Sequence, residues 1–166
     1  MAVKWNKIYR GGVHRTTPVT REVNAPSTGD FLPGTAVTIT TAAGGMTVQK
    51  GVTGVRDWFY VIGEQLHGSV DDNQAGGDSS MRLYQPHSGD LLAGRAVAGI
   101  SIVDDTPLTI NSDGRFAVAA AGTPPAGEDP GTPADPIYAY IDNPASAHPG
   151  TVTPTVLDQL IPIKIK

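Results

Sequence analysis

Residues 81–120 decide the fold, and they read MRLYQPHSGD LLAGRAVAGI SIVDDTPLTI NSDGRFAVAA. Turn signals separate three runs of small apolar residues in this stretch. The turn at 111–114 is Asn-Ser-Asp-Gly, in which polar side chains bond the local backbone and glycine accepts a positive φ. The runs on its two sides, 108–110 and 115–118, alternate as the strands of a hairpin do. The sequence therefore predicts a hairpin in the middle of a β core.

The spacing of glycine and proline extends this prediction to the whole chain. The sequence has 20 glycines and 14 prolines, and beyond residue 10 no interval free of both reaches ten residues. Ordinary helices need about ten residues or more, whereas about five or six make a strand. Residues 35–41 (TAVTITT) carry β-branched side chains at period two and predict a half-buried strand, with 46–49 as its hairpin partner. Residues 137–141 (IYAYI) predict another buried strand.

The predicted fold class is all-β. We expect a small β-sandwich or a partly open β-barrel of short antiparallel strands, with extended terminal arms and loops rich in proline and glycine. Residues 1–24 form an N-terminal arm or an edge strand, and residues 25–166 form a single β domain. A Pro/Gly-rich loop spans 122–136 (GTPPAGEDPGTPADP).

The closing segment 160–166 (LIPIKIK) predicts a strand with isoleucines on one face and lysines on the other. The isoleucines are Ile161, Ile163 and Ile165. Pro162 has no backbone N–H to donate, and proline within sheets is found mainly on edge strands. We therefore expect this strand to lie at an edge.

Two aromatic segments leave alternatives open. Residues 55–62 (VRDWFYVI) place Trp58 and Tyr60 in a strand with apolar residues on both faces, because consecutive residues of a strand point in opposite directions. Such a strand either lies between two layers or turns one face to a partner. Aromatic side chains are more often buried in the core of their own chain, which favours the first alternative. Residues 1–10 carry Trp5 among cations, and form either a mobile arm or a first edge strand.

Composition argues against several classes of protein. The net charge is −4 and the basic residues are scattered, whereas a nucleic-acid binder normally shows a basic stripe. No apolar run approaches the roughly 18 residues of a membrane-spanning helix, and the first residues lack the apolar stretch of a signal peptide. The chain has no cysteine, which excludes disulfides and thiolate zinc sites.

No pattern indicates a metal site or catalysis. The carboxylate-rich loop 71–78 (DDNQAGGD) departs from the spacing of a calcium-binding loop at Ala75 and Arg82, so we expect a solvated loop. The histidines at 14, 67, 87 and 148 stand singly, and the serines close to two of them lack the Gly-x-Ser-x-Gly motif. We expect no enzyme activity and no cofactor.

The order of motifs around the central hairpin resembles that of the capsid decoration, or cement, proteins of tailed bacteriophages. A small apolar run and a tight corner precede Pro-Leu-Thr, and a turn then leads into Asp-Gly-Arg and a small apolar strand. The residues that carry this order are Leu108, Thr109, Asp113, Gly114 and Arg115. Further similarity lies at 32–37 (LPGTAV), 137–141 and 160–166, so the resemblance covers about residues 31–166.

The resemblance implies a structural virion protein rather than an enzyme. Such a protein is made in the host cytoplasm, binds the outer surface of the major capsid protein lattice and stabilises the phage head. It implies a homo-oligomer, with a trimer favoured over a dimer, and no nucleic acid or membrane partner. The candidate contact residues, for the capsid or a sister subunit, are Trp5, Ile8, Tyr9, Arg10, Trp58, Tyr60, Ile161, Ile163 and Ile165.

The alternative is a carbohydrate- or receptor-binding β module of a phage fibre or spike. Such a module needs aromatic side chains and amides gathered in one surface groove. Trp58 and Tyr60 are the candidate aromatics, and Asn73 and Gln74 are the candidate amides.

Overall fold

The computed structural model describes residues 8–11, 19–42, 45–52, 59–64, 73–75, 80–120, 136–142 and 160–166. Eleven strands lie in these ranges: β1 (Tyr9–Gly11), β2 (Val19–Asn24), β3 (Ala36–Ala42), β4 (Gly45–Lys50), β5 (Tyr60–Ile62), β6 (Ser80–Gln85), β7 (Leu91–Arg95), β8 (Pro107–Ile110), β9 (Phe116–Val118), β10 (Ala139–Ile141) and β11 (Leu160–Ile165). The described residues contain no helix long and apolar enough to cross a membrane.

The strands form two antiparallel sheets, which confirms the prediction of an all-β fold and, of its two alternatives, agrees with the small β-sandwich. The order of the six-stranded sheet is β1-β7-β11-β10-β8-β9, and that of the five-stranded sheet is β2-β6-β5-β3-β4. Both predicted hairpins are present, as the pairs β3–β4 and β8–β9. At the tip of the second, Asn111 Oδ1 accepts the backbone N–H groups of Asp113 and Arg115 at 3.0 and 2.9 Å. Gly114 has a φ of 74°, as the turn chemistry predicts.

The main core lies between the two sheets. Leu92, Phe116 and Ile163 enter it from the six-stranded sheet, and Val61 enters it from the five-stranded sheet. Phe59 adds an aromatic contact, since its ring lies edge-on to Phe116 with centroids 6.3 Å apart. Apolar burial of this kind is the main favourable contribution to folding.

A second core lies on the other face of the five-stranded sheet. Its buried residues include Val37, Ile62 and Leu83, and Phe31 from the preceding loop packs against them. The edge strands β2 and β4 of this sheet contact each other, so the sheet is strongly curled around these side chains. Val61 and Ile62 therefore enter different cores, which explains the apolar character of both faces of this strand.

The predicted edge position of the closing strand is wrong. Strand β11 lies inside the six-stranded sheet and pairs with β7 on one side and β10 on the other. Pro162 is tolerated because its missing donor faces Asp142, one residue beyond the end of β10. The Pro162 carbonyl still accepts the N–H of Asp142 at 3.0 Å. The sheet thus loses one bond at the end of a short neighbour, where the loss costs least.

Candidate functional site

The N-terminal strand β1 is, with β9, one of the two edge strands of the described six-stranded sheet. It pairs with β7, and a shift of register between Tyr9 and Gly11 marks a bulge. The carbonyl of Ile8 accepts the N–H of Ala93 at 2.7 Å, which continues the pairing by one residue. Edge strands are the positions at which proteins most often meet an extended segment of a partner.

Ile8 anchors this strand to the domain. Its side chain is 0% exposed and belongs to the main core, and its N–H donates to Glu64 Oε2 at 3.2 Å. The half-buried ring of Tyr9 lies on Tyr84, with centroids 6.0 Å apart. Ile8 is therefore a core residue of this chain, and the strand is fixed immediately after residues 1–7.

Glu64 joins the five-stranded sheet to β1. Its carboxylate accepts the Ile8 N–H and also the hydroxyl of Tyr84. Burial raises the pKa of Tyr84 well above its usual value, and the charge and hydrogen bond of Glu64 raise it further. Tyr84 consequently stays protonated at neutral pH and remains a donor to Glu64.

Arg10 ties the exposed side of β1 to the loop after β10. Its Nη1 lies 3.5 Å from Asp142 Oδ2, and both side chains are about a quarter exposed. Burial lowers the pKa of Arg10, while the Asp142 carboxylate acts in the opposite direction. A guanidinium nevertheless stays charged in proteins, so the ion pair persists across the physiological range.

The other predicted contact residues lie elsewhere in the molecule. Ile161, Ile163 and Ile165 are buried in the main core, so their side chains face the five-stranded sheet and not the surface. Tyr60 is half-buried on the five-stranded sheet, where the Arg21 guanidinium lies 5.8 Å from its ring centroid. Trp5 and Trp58 lie outside the described residues. Among the described candidates, Ile8 shares the main core with the three isoleucines of β11 and Tyr9 packs against it, whereas Tyr60 lies in the five-stranded sheet.

The amides of the alternative carbohydrate site are engaged within the chain. Asn73 Oδ1 accepts the N–H of Phe31 at 2.8 Å, and its Nδ2 donates to the carbonyl of Gly29 at 2.8 Å. Gln74 is 1% exposed. These residues fasten the loop over the second core rather than line a surface groove. Most of the predicted solvated loop 71–78 lies outside the described residues. Among the residues that are described, no group of three His, Asp or Glu side chains is placed to hold a metal ion.

Sequence reasoning missed a concave surface beside the turn between β6 and β7. Asp90 Oδ2 accepts the backbone N–H of His87 at 3.0 Å, so this buried carboxylate shapes the turn. His87 Nδ1 lies 3.0 Å from the carbonyl of Gln85. The concave surface continues to Lys164 and Lys166 of the closing segment. The alternation of the two lysines with isoleucines in residues 160–166 was the one feature of the sequence that pointed to this surface.

The chain matches no protein-family model and no curated protein. The grounds for its function are therefore the fold and the geometry of these surfaces.

Proposed function

We propose that this chain is a structural protein of a phage virion, which binds the outer surface of the major capsid protein lattice and stabilises the head. The observation that carries the proposal is the anchoring of β1. Ile8 is fixed in the core at an edge of the sandwich, so the residues directly before it, which include Trp5, start from a fixed point at that edge. Aromatic anchors supply much of the energy of such contacts.

The physics of a shell supports this role. A capsid under internal pressure fails at the seams between its subunits, and a protein that binds only the assembled lattice stabilises it by mass action. A rigid β domain with an extended terminal segment suits this task, because the segment is able to add to a neighbouring sheet edge. The proposal includes a homo-oligomer, with a trimer favoured, on the outer surface of the capsid after synthesis in the host cytoplasm. It includes no catalysis and no cofactor.

A variant that lacks residues 1–7 tests the proposal. Deletion of residues 1–7 removes Trp5 and leaves Ile8 in place, so the melting temperature should stay that of the full chain. Binding to undecorated heads, assembled from the major capsid protein of the same genome, should weaken about 30-fold if an aromatic anchor contributes about 2 kcal/mol. A longer deletion, of residues 1–11, would confuse two effects because it removes a core side chain and the Arg10 ion pair.

Two substitutions make the test specific. Trp5→Ala should reproduce most of the lost affinity, whereas Val118→Ala should leave it unchanged, since Val118 is an exposed apolar residue on β9, at the edge of the six-stranded sheet opposite β1. Equal binding by the 1–7 deletion and the full chain would remove the N-terminal segment from the proposal. Failure of the full chain to bind heads at all would contradict the function itself.

The oligomeric state has its own measurement. Light scattering after size-exclusion chromatography gives the mass of the protein in solution, and a symmetric clip predicts a trimer or a dimer. A monomer both in solution and on the head would contradict the homo-oligomer.

A further inference from the structure

A groove runs around the end of the closing strand β11. It consists of two adjoining concavities of about 670 and 360 Å³, which share Ser88, Ile165 and Lys166. The larger one lies at the end of the sandwich beside the turn between β6 and β7. The smaller one continues past Lys164 on the outer face of the six-stranded sheet. None of the residues described along this groove belongs to β1.

The larger concavity has a mainly apolar and aromatic lining, to which His87, Ser88 and Lys166 add polar groups, and it is firmly supported. The ring of Phe59 is buried in the core and meets Tyr138 edge-on, with centroids 5.6 Å apart. Ile137 and Pro86 complete the apolar lining. The backbone beneath is also fixed, because the N–H of Tyr138 donates to Leu108 and that of Lys166 donates to Tyr138. A preformed apolar pocket of this kind suits one large apolar side chain of a ligand.

The smaller concavity adds two cations. Lys164 and Lys166 are exposed and lie on the same face of the closing segment, two residues apart, so their Cα atoms are about 7 Å from each other. Neither ammonium group makes an ion pair within the described residues. Among the described residues that line the smaller concavity, Asp105 is the one acidic side chain beside the two lysines. This local positive charge contrasts with the net charge of −4 for the chain.

An extended peptide matches this arrangement in both spacing and charge. Alternate residues of an extended segment are also about 7 Å apart, so two acidic residues separated by one residue reach both lysines at once. Asp105 lines the same concavity and repels carboxylates, so the acidic residues of the peptide should lie over the two lysines. The apolar side chain of the ligand then falls at the end of the groove formed by Phe59 and Tyr138.

We infer that this groove binds an extended acidic segment of a partner protein. An apolar side chain of the segment occupies the pocket beside Phe59 and Tyr138, and alternate carboxylates pair with Lys166 and Lys164. The inference goes beyond head binding and does not depend on it, because no residue of β1 lines the groove.

Peptide titration of the full chain tests the inference. The probe is a hexapeptide with blocked ends, Leu-Phe-Ser-Glu-Thr-Glu, and its matched control has both glutamates replaced by lysine. Calorimetry should show binding about tenfold tighter for the acidic peptide than for its control. The affinity should fall when salt rises from about 50 to about 300 mM, because exposed charges are screened over shorter distances.

Substitutions locate the binding on the protein. The double variant Lys164→Gln with Lys166→Gln should weaken the acidic peptide about tenfold, at an unchanged melting temperature since both side chains are exposed. Lys50→Gln makes the same chemical change on the five-stranded sheet and should have no effect. Ile137→Ser should weaken both peptides alike, because it alters the apolar half alone.

Three results would overturn the inference. The first is absence of binding, or equal binding of the two peptides. The second is an affinity for the acidic peptide that the double lysine variant leaves unchanged. The third is self-association of the chain that disappears in the double variant, which would assign the groove to a second copy of the protein.

Discussion

The two terminal strands flank the same strand, β7, yet they differ in almost every other respect. Strand β11 has six residues, pairs on both sides and buries five of its side chains. Strand β1 has three residues and lies at the edge, with Arg10 exposed. The comparison shows that the closing strand is a central part of the fold, whereas a role of the N-terminal strand in placing a segment for a partner belongs to the proposed function.

The largest expected effect tests the stabilising role of β11. Ile163→Ala should reduce the free energy of unfolding by about 3–4 kcal/mol, because it opens a cavity in the main core where neighbours on both sides limit relaxation. Ile8→Ala, at the edge, should cost about 2 kcal/mol since β1 is able to shift into the space. Denaturant unfolding gives both values, with Lys164→Ala as an exposed control that changes stability by less than about 0.5 kcal/mol. An equal or larger loss for Ile8→Ala would break the comparison.

Strand β7 provides the next test, because it lies between the two terminal strands. A Cβ added at Gly94 would lie 2.7 Å from the Phe116 ring and 2.8 Å from Ile163 Cδ1. Gly94→Ala should therefore reduce stability by about 1–3 kcal/mol through overpacking. Phe116→Leu frees part of this space, so the double variant should lose less than the sum of the single losses. Additive losses would show that the close approach does not limit packing.

Alkaline pH should reduce the stability of the fold through Tyr84, whose ring packs against Tyr9 of β1. The pKa of Tyr84 is raised in the folded chain, so the unfolded chain releases this proton first. Its contribution to stability is complete below the unfolded pKa of about 10 and is lost as pH rises toward the folded value. Denaturant unfolding between about pH 9 and pH 11 should show this decline. Tyr84→Phe should reduce this decline in stability, whereas Tyr140→Phe should not. An equal decline in both variants would contradict the assignment of the decline to Tyr84.

The smallest expected effect concerns the ion pair between Arg10 and Asp142. A double-mutant cycle with Arg10→Gln and Asp142→Asn should give a coupling of about 0.5 kcal/mol, because both side chains are partly exposed. The coupling should shrink at high salt. A coupling above about 2 kcal/mol would mean that β1 is held as firmly as a central strand.

Local chemistry made much of the fold predictable. The spacing of glycine and proline excluded long helices, and the Asn-Ser-Asp-Gly turn specified the β8–β9 hairpin because Asn111 bonds the backbone on both sides of Gly114. The pattern of residues 35–50 specified the β3–β4 hairpin in the same way. These features depend on residues close in sequence, which is why the sequence alone reveals them.

Strand order was not predictable from such signals. The alternation of residues 160–166 correctly separated the isoleucines from the exposed lysines but did not indicate that Leu160 and Pro162 are buried too. Pro162 suggested an edge because the length of the neighbouring strand was unknown. The missing donor of Pro162 would matter if β10 continued past the residue opposite it. Strand β10 ends at Ile141, one residue before Asp142, which lies opposite Pro162. The groove was missed for a similar reason, since it joins Lys164 to Phe59 and Tyr138 across three distant segments.

Hydrogen exchange of the protein, free and bound to heads, tests the central claim most directly. Amides of β11 should be strongly protected in both states, because the strand lies inside a sheet and a core. Amides of residues 1–7 should exchange faster in the free protein and slow down on the head. Unchanged exchange of residues 1–7, or a change confined to β11, would contradict the division between a stabilising strand and a binding segment.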